Sequence, residues 1–431
     1  MQPARQTNWR FVVFLAFIGW VVAYMDRAMV GPVIPLLQRD LHASNAEIGF
    51  FAVTLVYFAY AILQIPAGVW ADRFGRRPLS WPALALFSIC SGLTGTATGL
   101  AQFGAWRFLT GFGEGTYFSS VVSLVQDVAP EEKRGVAMAG AQSGISFGSG
   151  LAPLILGPLA AWIGWRWSFT VPAVLGLIVS YVFWRYLPEA KAFTARRAAG
   201  GAHLSVGQTI KDSFLEFKSM VPILRDRTVL LTGIAGFAAI YYLYIALTWT
   251  PSYLYHTEHI GIAMSGVLAS IPPFAAIAGQ FTFGYISDRV GRKSTMIATL
   301  VLMAVSLFAL VWLAHQGTAA LIFGLALMGF LLWGFYPVAY AYLGDTHDEA
   351  NRGKALGTMN TIEYFGSWFA PPIAGAIIDH WGYTWVWYHV AIMLVVAAVI
   401  LAIWLPRVEN RHAPPTSLSP GGDARPGTSH A

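Results

Sequence analysis

The 431-residue sequence is 56% hydrophobic and only 11% charged, with a formal net charge of +6. Soluble domains carry about 25% charged residues, so a water-soluble protein is excluded and a polytopic membrane protein is implied. Twelve helices of about 22 residues would use roughly 260 residues and leave room for short loops and two tails.

Apolar runs of spanning length fall at 11–36, 47–71, 78–98, 101–126, 135–162, 167–187, 228–255, 261–287, 294–315, 317–343, 353–378 and 383–405. The first follows Arg5 and Arg10, as a secretory leader would, but it continues through Tyr24 without a small-residue cleavage site and reads as an uncleaved span. Twelve spans put both chain ends on one side. On that basis Arg39 and Arg166 lie in outer loops, Arg27 and Arg107 lie inside spans, and every other Lys and Arg falls on the side of the ends. The positive-inside rule makes that side cytoplasmic, in a multi-pass protein of a cell (inner) membrane. The positive charge therefore reads as topology and not as a nucleic-acid surface. The connection at 188–227 contains Ala-Arg-Arg-Ala-Ala-Gly-Gly at 195–201, then Ile210, Phe214, Phe217 and Val221 at helical spacing, which predicts a flexible linker and an interfacial amphipathic helix. The Pro-, Ser- and Gly-rich tail predicts disorder. The expected organisation is an N-terminal bundle at 1–187, the linker at 188–227, a C-terminal bundle at 228–405 and a cytoplasmic tail at 406–431.

The two bundles repeat each other. The stretch Gly68-Val-Trp-Ala-Asp72-Arg73-Phe-Gly75-Arg76-Arg77 returns 216 residues later as Gly284-Tyr-Ile-Ser-Asp288-Arg289-Val-Gly291-Arg292-Lys293. At an offset of 218, Arg134-Gly135 matches Arg352-Gly353, Pro153 matches Pro371, Gly157 matches Gly375, and Gly164-Trp165 matches Gly382-Tyr383. A six-helix unit inserts both copies in the same orientation, so the halves are expected to be parallel repeats with a site between them. Cys90 is the single cysteine, which excludes an intramolecular disulfide, a cysteine-rich zinc cluster and a CxxC redox site. No HExxH or comparable metal or cofactor pattern is present, and an enzyme is not expected.

The repeated GxxxDRxGR loop resembles the signature loop of the major facilitator superfamily, and the resemblance extends over the whole membrane region. It implies an all-α fold of 12 transmembrane helices working by rocker-switch alternating access, with the site between helices one, four, seven and ten. It also implies that the loop residues Gly68, Asp72, Arg73, Gly75, Arg76, Gly284, Asp288, Arg289, Gly291 and Arg292 stabilise a conformational state and do not touch substrate. Within the superfamily, Tyr24-Met-Asp26-Arg27, Arg107-Phe-Leu-Thr-Gly-Phe-Gly-Glu114 and Leu247-Thr-Trp249-Thr-Pro251-Ser-Tyr253-Leu254 resemble the anion:cation symporter family, which includes carriers of sugar acids. The Gly-Glu-Gly-Thr-Tyr stretch at 113–117 also resembles Spinster-type lysolipid transporters, so an amphiphile exporter is the alternative reading.

Five charges fall inside the spans: Asp26, Arg27, Arg107, Glu114 and Glu363. Intramembrane charges are costly and mark substrate or proton paths. Neighbours on a helix differ by about 100°, so Asp26 and Arg27 point apart, whereas Arg107 and Glu114, seven residues apart, share a face. These groups either lock helices one and four together or form a site. The resemblance implies a proton-coupled, monomeric importer of a small organic anion, a monocarboxylate or sugar acid, with Arg107 on the substrate carboxylate. Asp26 and Glu114 would then carry protons, with Arg27 linking them. Glu363 reads as a further proton site, a partner for Arg107, or a group reading a substrate's hydroxyl or amine. Tyr24, Tyr60, Tyr241, Asn360 and Tyr364 are candidate cavity residues. The Gly144–Gly150 stretch reads as close helix packing, and His389 as a satisfied polar residue.

Overall fold

The computed structural model describes residues 8–189 and 221–407, all as helices and short connections with no strand among them. The predicted amphipathic helix and tail lie outside these residues. Two sets of six helices run in the predicted order. The first comprises α1 (Trp9–Leu41, interrupted at Met29), α2 (45–74), α3 (Arg76–Thr94), α4 (Leu100–Val128), α5 (Arg134–Ile163) and α6 (Trp165–Tyr186). The second comprises α7 (Arg227–His256), α8 (Ile262–Val290, interrupted at Ser270), α9 (Arg292–Ala314), α10 (Thr318–Thr346, opened at 332–334), α11 (Glu349–Trp381) and α12 (Tyr383–Trp404). Among the described residues, nine stretches are long and apolar enough to cross a membrane. The exceptions are α3, α4 and α11, and the last two are the helices that carry Arg107, Glu114 and Glu363.

Both halves are built on the same turns. The chain passes from α2 to α3 through Gly75 and from α8 to α9 through Gly291, with φ of +94° and +105°. It turns from α5 to α6 through Gly164 and from α11 to α12 through Gly382, with φ of +93° and +89°. A side chain is strained in that region, which is why glycine recurs at each position. The loop arginines are paired alike: Arg76 meets Asp127 at the end of α4 at 2.8 Å, and Arg292 meets Asp345 at the end of α10 at 3.2 Å. Arg292 also holds Asp288 at 2.5 Å, and Arg289 lies over the Tyr285 ring at 4.0 Å. Gly284 sits opposite Pro337 of α10. The side-chain placements of Asp72 and Arg73 and the surroundings of Gly68 lie outside the described residues.

The halves meet on the side away from the chain ends, and backbone meets backbone there. A side chain on Gly49 of α2 would lie 2.4 Å from the carbonyl oxygen of Pro371, and one on Gly375 would lie 2.3 Å from that of Asn45. Gly31 of α1 approaches Leu247 of α7, and Gly157 of α5 approaches Gly266 of α8. Polar bonds add to the seal. Asp379 accepts from the Asn45 and Ala46 backbone N–H groups at 3.0 Å each and from the Asn45 side chain at 2.7 Å. Nearer the midplane, Thr54 donates to the Trp368 carbonyl, and the Trp368 indole donates to the Tyr57 carbonyl. The side away from the chain ends is closed.

Removing Asp379 should loosen this seal. Hydrogen bonds to a charged acceptor are worth about 1.5–3 kcal/mol, and 1.4 kcal/mol is tenfold in population. In Asp379→Ala, a cysteine placed at Thr248 on a Cys90→Ser background should react with an outside-added maleimide roughly tenfold faster. An unchanged rate would show that Asp379 does not hold the outer side shut.

Candidate functional site

The four intramembrane charges of the first half form two crossed ion pairs between α1 and α4. Arg107 Nη1 donates to Asp26 Oδ2 at 2.7 Å, and Arg27 Nε donates to Glu114 Oε2 at 2.5 Å. Adjacent residues on α1 diverge, and seven residues on α4 span about 10 Å, so this is the pairing that two neighbouring helices allow. Both carboxylate oxygens of Asp26 are engaged. Asp26 Oδ1 accepts from Ser91 of α3, and Arg107 Nε donates to the Ala52 carbonyl at 3.0 Å. Ala52 lies in the π-helical turn Gly49–Thr54 of α2, a local widening of a kind often found at functional sites. Asp26 and Arg107 are both at most 1% exposed, and together they tie α1, α2, α3 and α4.

Arg27 is placed differently. Its guanidinium lies 4.7 Å from the ring centre of Tyr24, 5.3 Å from Tyr57 and 4.5 Å from Tyr60, and its Nη1 has no hydrogen-bond partner. It lines a chamber of about 10 Å³ with Tyr24, Tyr57, Ser149, Tyr244 and Thr248, room for about one water. Tyr24 and Tyr244 also line a larger cavity of about 440 Å³ on the side of the chain ends. These two rings are therefore the partition between Arg27 and that cavity. Tyr57 backs Tyr244 at 4.4 Å between ring centres, which fixes the partition from behind.

The large cavity lies between the halves. Its first-half wall is Tyr24, Phe118 and the start of α5 at Gln142, Ser143 and Ser146; its second-half wall is Ile240, Gln280, Trp333, Tyr336, Tyr340, Asn360, Glu363 and Tyr364. Tyr340 donates to Asn360 Oδ1 at 3.0 Å and approaches Glu363 Oε1 at 3.5 Å. Tyr60 meets Tyr364 at 5.9 Å between ring centres, linking the Arg27 cage to α11.

Of the residues anticipated from sequence, Tyr24, Asn360, Glu363 and Tyr364 line the large cavity. Arg107, expected on the substrate carboxylate, lines neither the cavity nor the chamber and donates from Nη1 to Asp26 and from Nε to the Ala52 carbonyl. Tyr241, expected in the cavity, faces α12, where its hydroxyl meets His389 Nε2 at 3.1 Å. A tyrosine followed by two more aromatic residues within three positions gives no directional signal, and packing decides which ring faces inward. Trp333, Tyr336 and Tyr340 escaped the sequence reading, although their spacing of three and four residues along α10 marks one helix face. Gly144 and Gly148 pack against α1, where added side chains would lie 2.4 Å from the carbonyl oxygens of Phe17 and Val21.

Two parallel-oriented six-helix bundles, sealed on one side with a cavity between them, have the architecture of a membrane transporter. The family model of the Major Facilitator Superfamily matches residues 16–271 and 254–426, and the chain belongs to that superfamily. It is 28% identical to the hexuronate transporter of Bacillus subtilis (strain 168), over 86% of this chain and 88% of that protein. It is 26% identical to the cis,cis-muconate transport protein of Acinetobacter baylyi, over 85% of this chain and 87% of that protein. A bacterial homologue of the lysosomal transporter Spinster, solved inward-facing and occupied, has the same fold, with a TM-score of 0.74 at 14% identity over 91% of this chain and 96% of that one. The curated relatives thus include carriers of sugar acids and other organic acids, as the anion:cation symporter likeness implied.

Breaking the buried Asp26–Arg107 pair from one side leaves an uncompensated charge and should cost about 3–5 kcal/mol. Arg107→Ala should therefore lower the melting temperature of the purified protein sharply, and Asp26→Asn combined with Arg107→Met should recover most of the loss. A double variant no more stable than Arg107→Ala would show that the lost charge balance is not the cause.

Proposed function

We propose that the protein is a proton-coupled importer of a small organic carboxylate, with Arg27 as the anion ligand and Glu114 as the principal proton carrier. The observation that carries this reading is the Arg27 guanidinium, held by one carboxylate and three aromatic rings with Nη1 left without an acceptor. Arginine presents a planar fork matched to a carboxylate, and a second acceptor on Arg27 would complete it. Arg107 acts on this site indirectly, by fixing Asp26 and hence the stretch of α1 that carries Arg27.

Coupling follows from competition for one cation. A substrate carboxylate reaching Arg27 past the Tyr24–Tyr244 partition displaces Glu114 or shares the guanidinium with it. A buried carboxylate stripped of its counter-ion is costly, and a proton on Glu114 removes that cost. Proton and anion therefore bind together more favourably than either does alone, as symport requires. With the chain ends cytoplasmic by the positive-inside rule, the closed outer side and the cavity on the opposite face correspond to the inward-open state of an inner-membrane carrier. Asp26, already satisfied by Arg107 and Ser91, takes a proton only if that pair opens during the cycle.

Two variants separate binding from coupling in reconstituted vesicles. Arg27→Ala should abolish both carboxylate uptake and substrate-induced thermal stabilisation. Glu114→Gln should abolish gradient-driven accumulation while retaining carboxylate exchange between the two sides. Full accumulation by Glu114→Gln would remove Glu114 from the proton path, and substrate stabilisation undiminished in Arg27→Ala would remove Arg27 from the site.

A further inference from the structure

The second-half wall of the cavity presents an acceptor with nothing to accept. Glu363 is 2% exposed, its Oε2 has no partner, and its Oε1 has only the long contact with Tyr340. No Lys, Arg or His lines the large cavity with it. On the same wall the hydroxyl of Tyr336, which is 4% exposed, also lacks a partner. Tyr336 and Tyr340 lie one turn apart on α10 with ring centres 6.2 Å apart, and both line the cavity together with Glu363. Buried polar groups are ordinarily hydrogen-bonded, so two unpartnered oxygens on residues of one cavity wall are what a ligand there would complete.

We propose that Glu363 and Tyr336 read a hydroxyl on the substrate, at the end remote from its carboxylate, and that the substrate is a flat, unsaturated or aromatic hydroxy acid. One hydroxyl meets both needs, since it donates to Glu363 Oε2 and accepts from Tyr336. An ammonium satisfies Glu363 but offers Tyr336 no acceptor, and a second carboxylate is repelled by Glu363. The preference for a flat body comes from the walls: Phe118, Phe281, Trp333 and five tyrosines make eight of the 18 lining residues aromatic. Ring faces pack well on planar unsaturated groups, whereas a polyhydroxylated chain would need a partner for every hydroxyl. This deepens the carboxylate reading and rests on it, with Arg27 holding one end of the molecule and Glu363 the other.

The test is binding by thermal shift and competition on the purified full-length protein, with 4-hydroxybenzoate, benzoate, 4-aminobenzoate and galactonate as probes. Wild type should favour 4-hydroxybenzoate over benzoate by about ten- to hundredfold, the worth of a hydrogen bond to a charged acceptor. Glu363→Ala should reduce that ratio to within about threefold, and Tyr336→Phe should reduce it in part. Because Tyr336→Phe removes only a hydroxyl, it tests the same pair if Glu363→Ala fails to fold. Preference for 4-aminobenzoate, or a ratio unchanged in both variants, would overturn the hydroxyl assignment. Binding of galactonate alone, lost in Arg27→Ala, would overturn the flat-substrate proposal and leave the carboxylate reading standing. Failure of all four acids to bind would overturn the carboxylate reading itself.

Discussion

The pairing of one carboxylate with one guanidinium, made twice across the α1–α4 contact, is the constraint on which the first half depends. Two charges adjacent on one helix cannot share a partner, so α4 must supply opposite charges about two turns apart. Asp26–Arg107 and Arg27–Glu114 are the result, and their environments differ. The first pair gains further hydrogen bonds with Ser91 and the Ala52 carbonyl, and neither member lines the cavity. The second leaves Arg27 Nη1 and Glu114 Oε1 without partners and stands behind two tyrosine rings. Added hydrogen bonds stiffen the first pair, whereas a pair with spare valence can exchange partners, which is the property a binding site needs.

The fold was legible because its signals are redundant. Hydropathy marked the spans, and the duplicated Gly-Arg loops marked the repeat independently. Gly75 and Gly291 then take the same positive-φ turn, and Arg76 and Arg292 take equivalent acidic partners. The candidate site was legible only in part. A charge in an apolar run identifies itself, and all five were found. Which of two arginines keeps an unpartnered Nη1 depends on helix rotation and on what α2 and α3 present, and neither is encoded locally. Arg107 was expected on the substrate carboxylate from the family resemblance, yet the π-helical turn of α2 supplies a carbonyl that holds its Nε. The α10 aromatics were passed over because an aromatic residue in a span has no cost to explain.

The halves line the site unequally. Among the described residues, the intramembrane charge pairs are in the first half, and the second half lines the cavity with tyrosines, amides and the Glu363 carboxyl. In the proposed carrier, anion capture belongs to α1 and α4, and discrimination among anions to α10 and α11.

The outer seal has a mechanical consequence. Gly31, Gly49, Gly157, Gly266 and Gly375 bring main chain against main chain between the halves, so at these points the contact is made without an intervening side chain. Gly279 and Gly329 set the same backbone distance inside the second half, between α8 and α10. Contacts at main-chain distance both within a half and across the seam oppose opening by a gate of one helix. In the proposed cycle the seam would part as a unit, which leaves size selection to the cavity walls more than to the mouth.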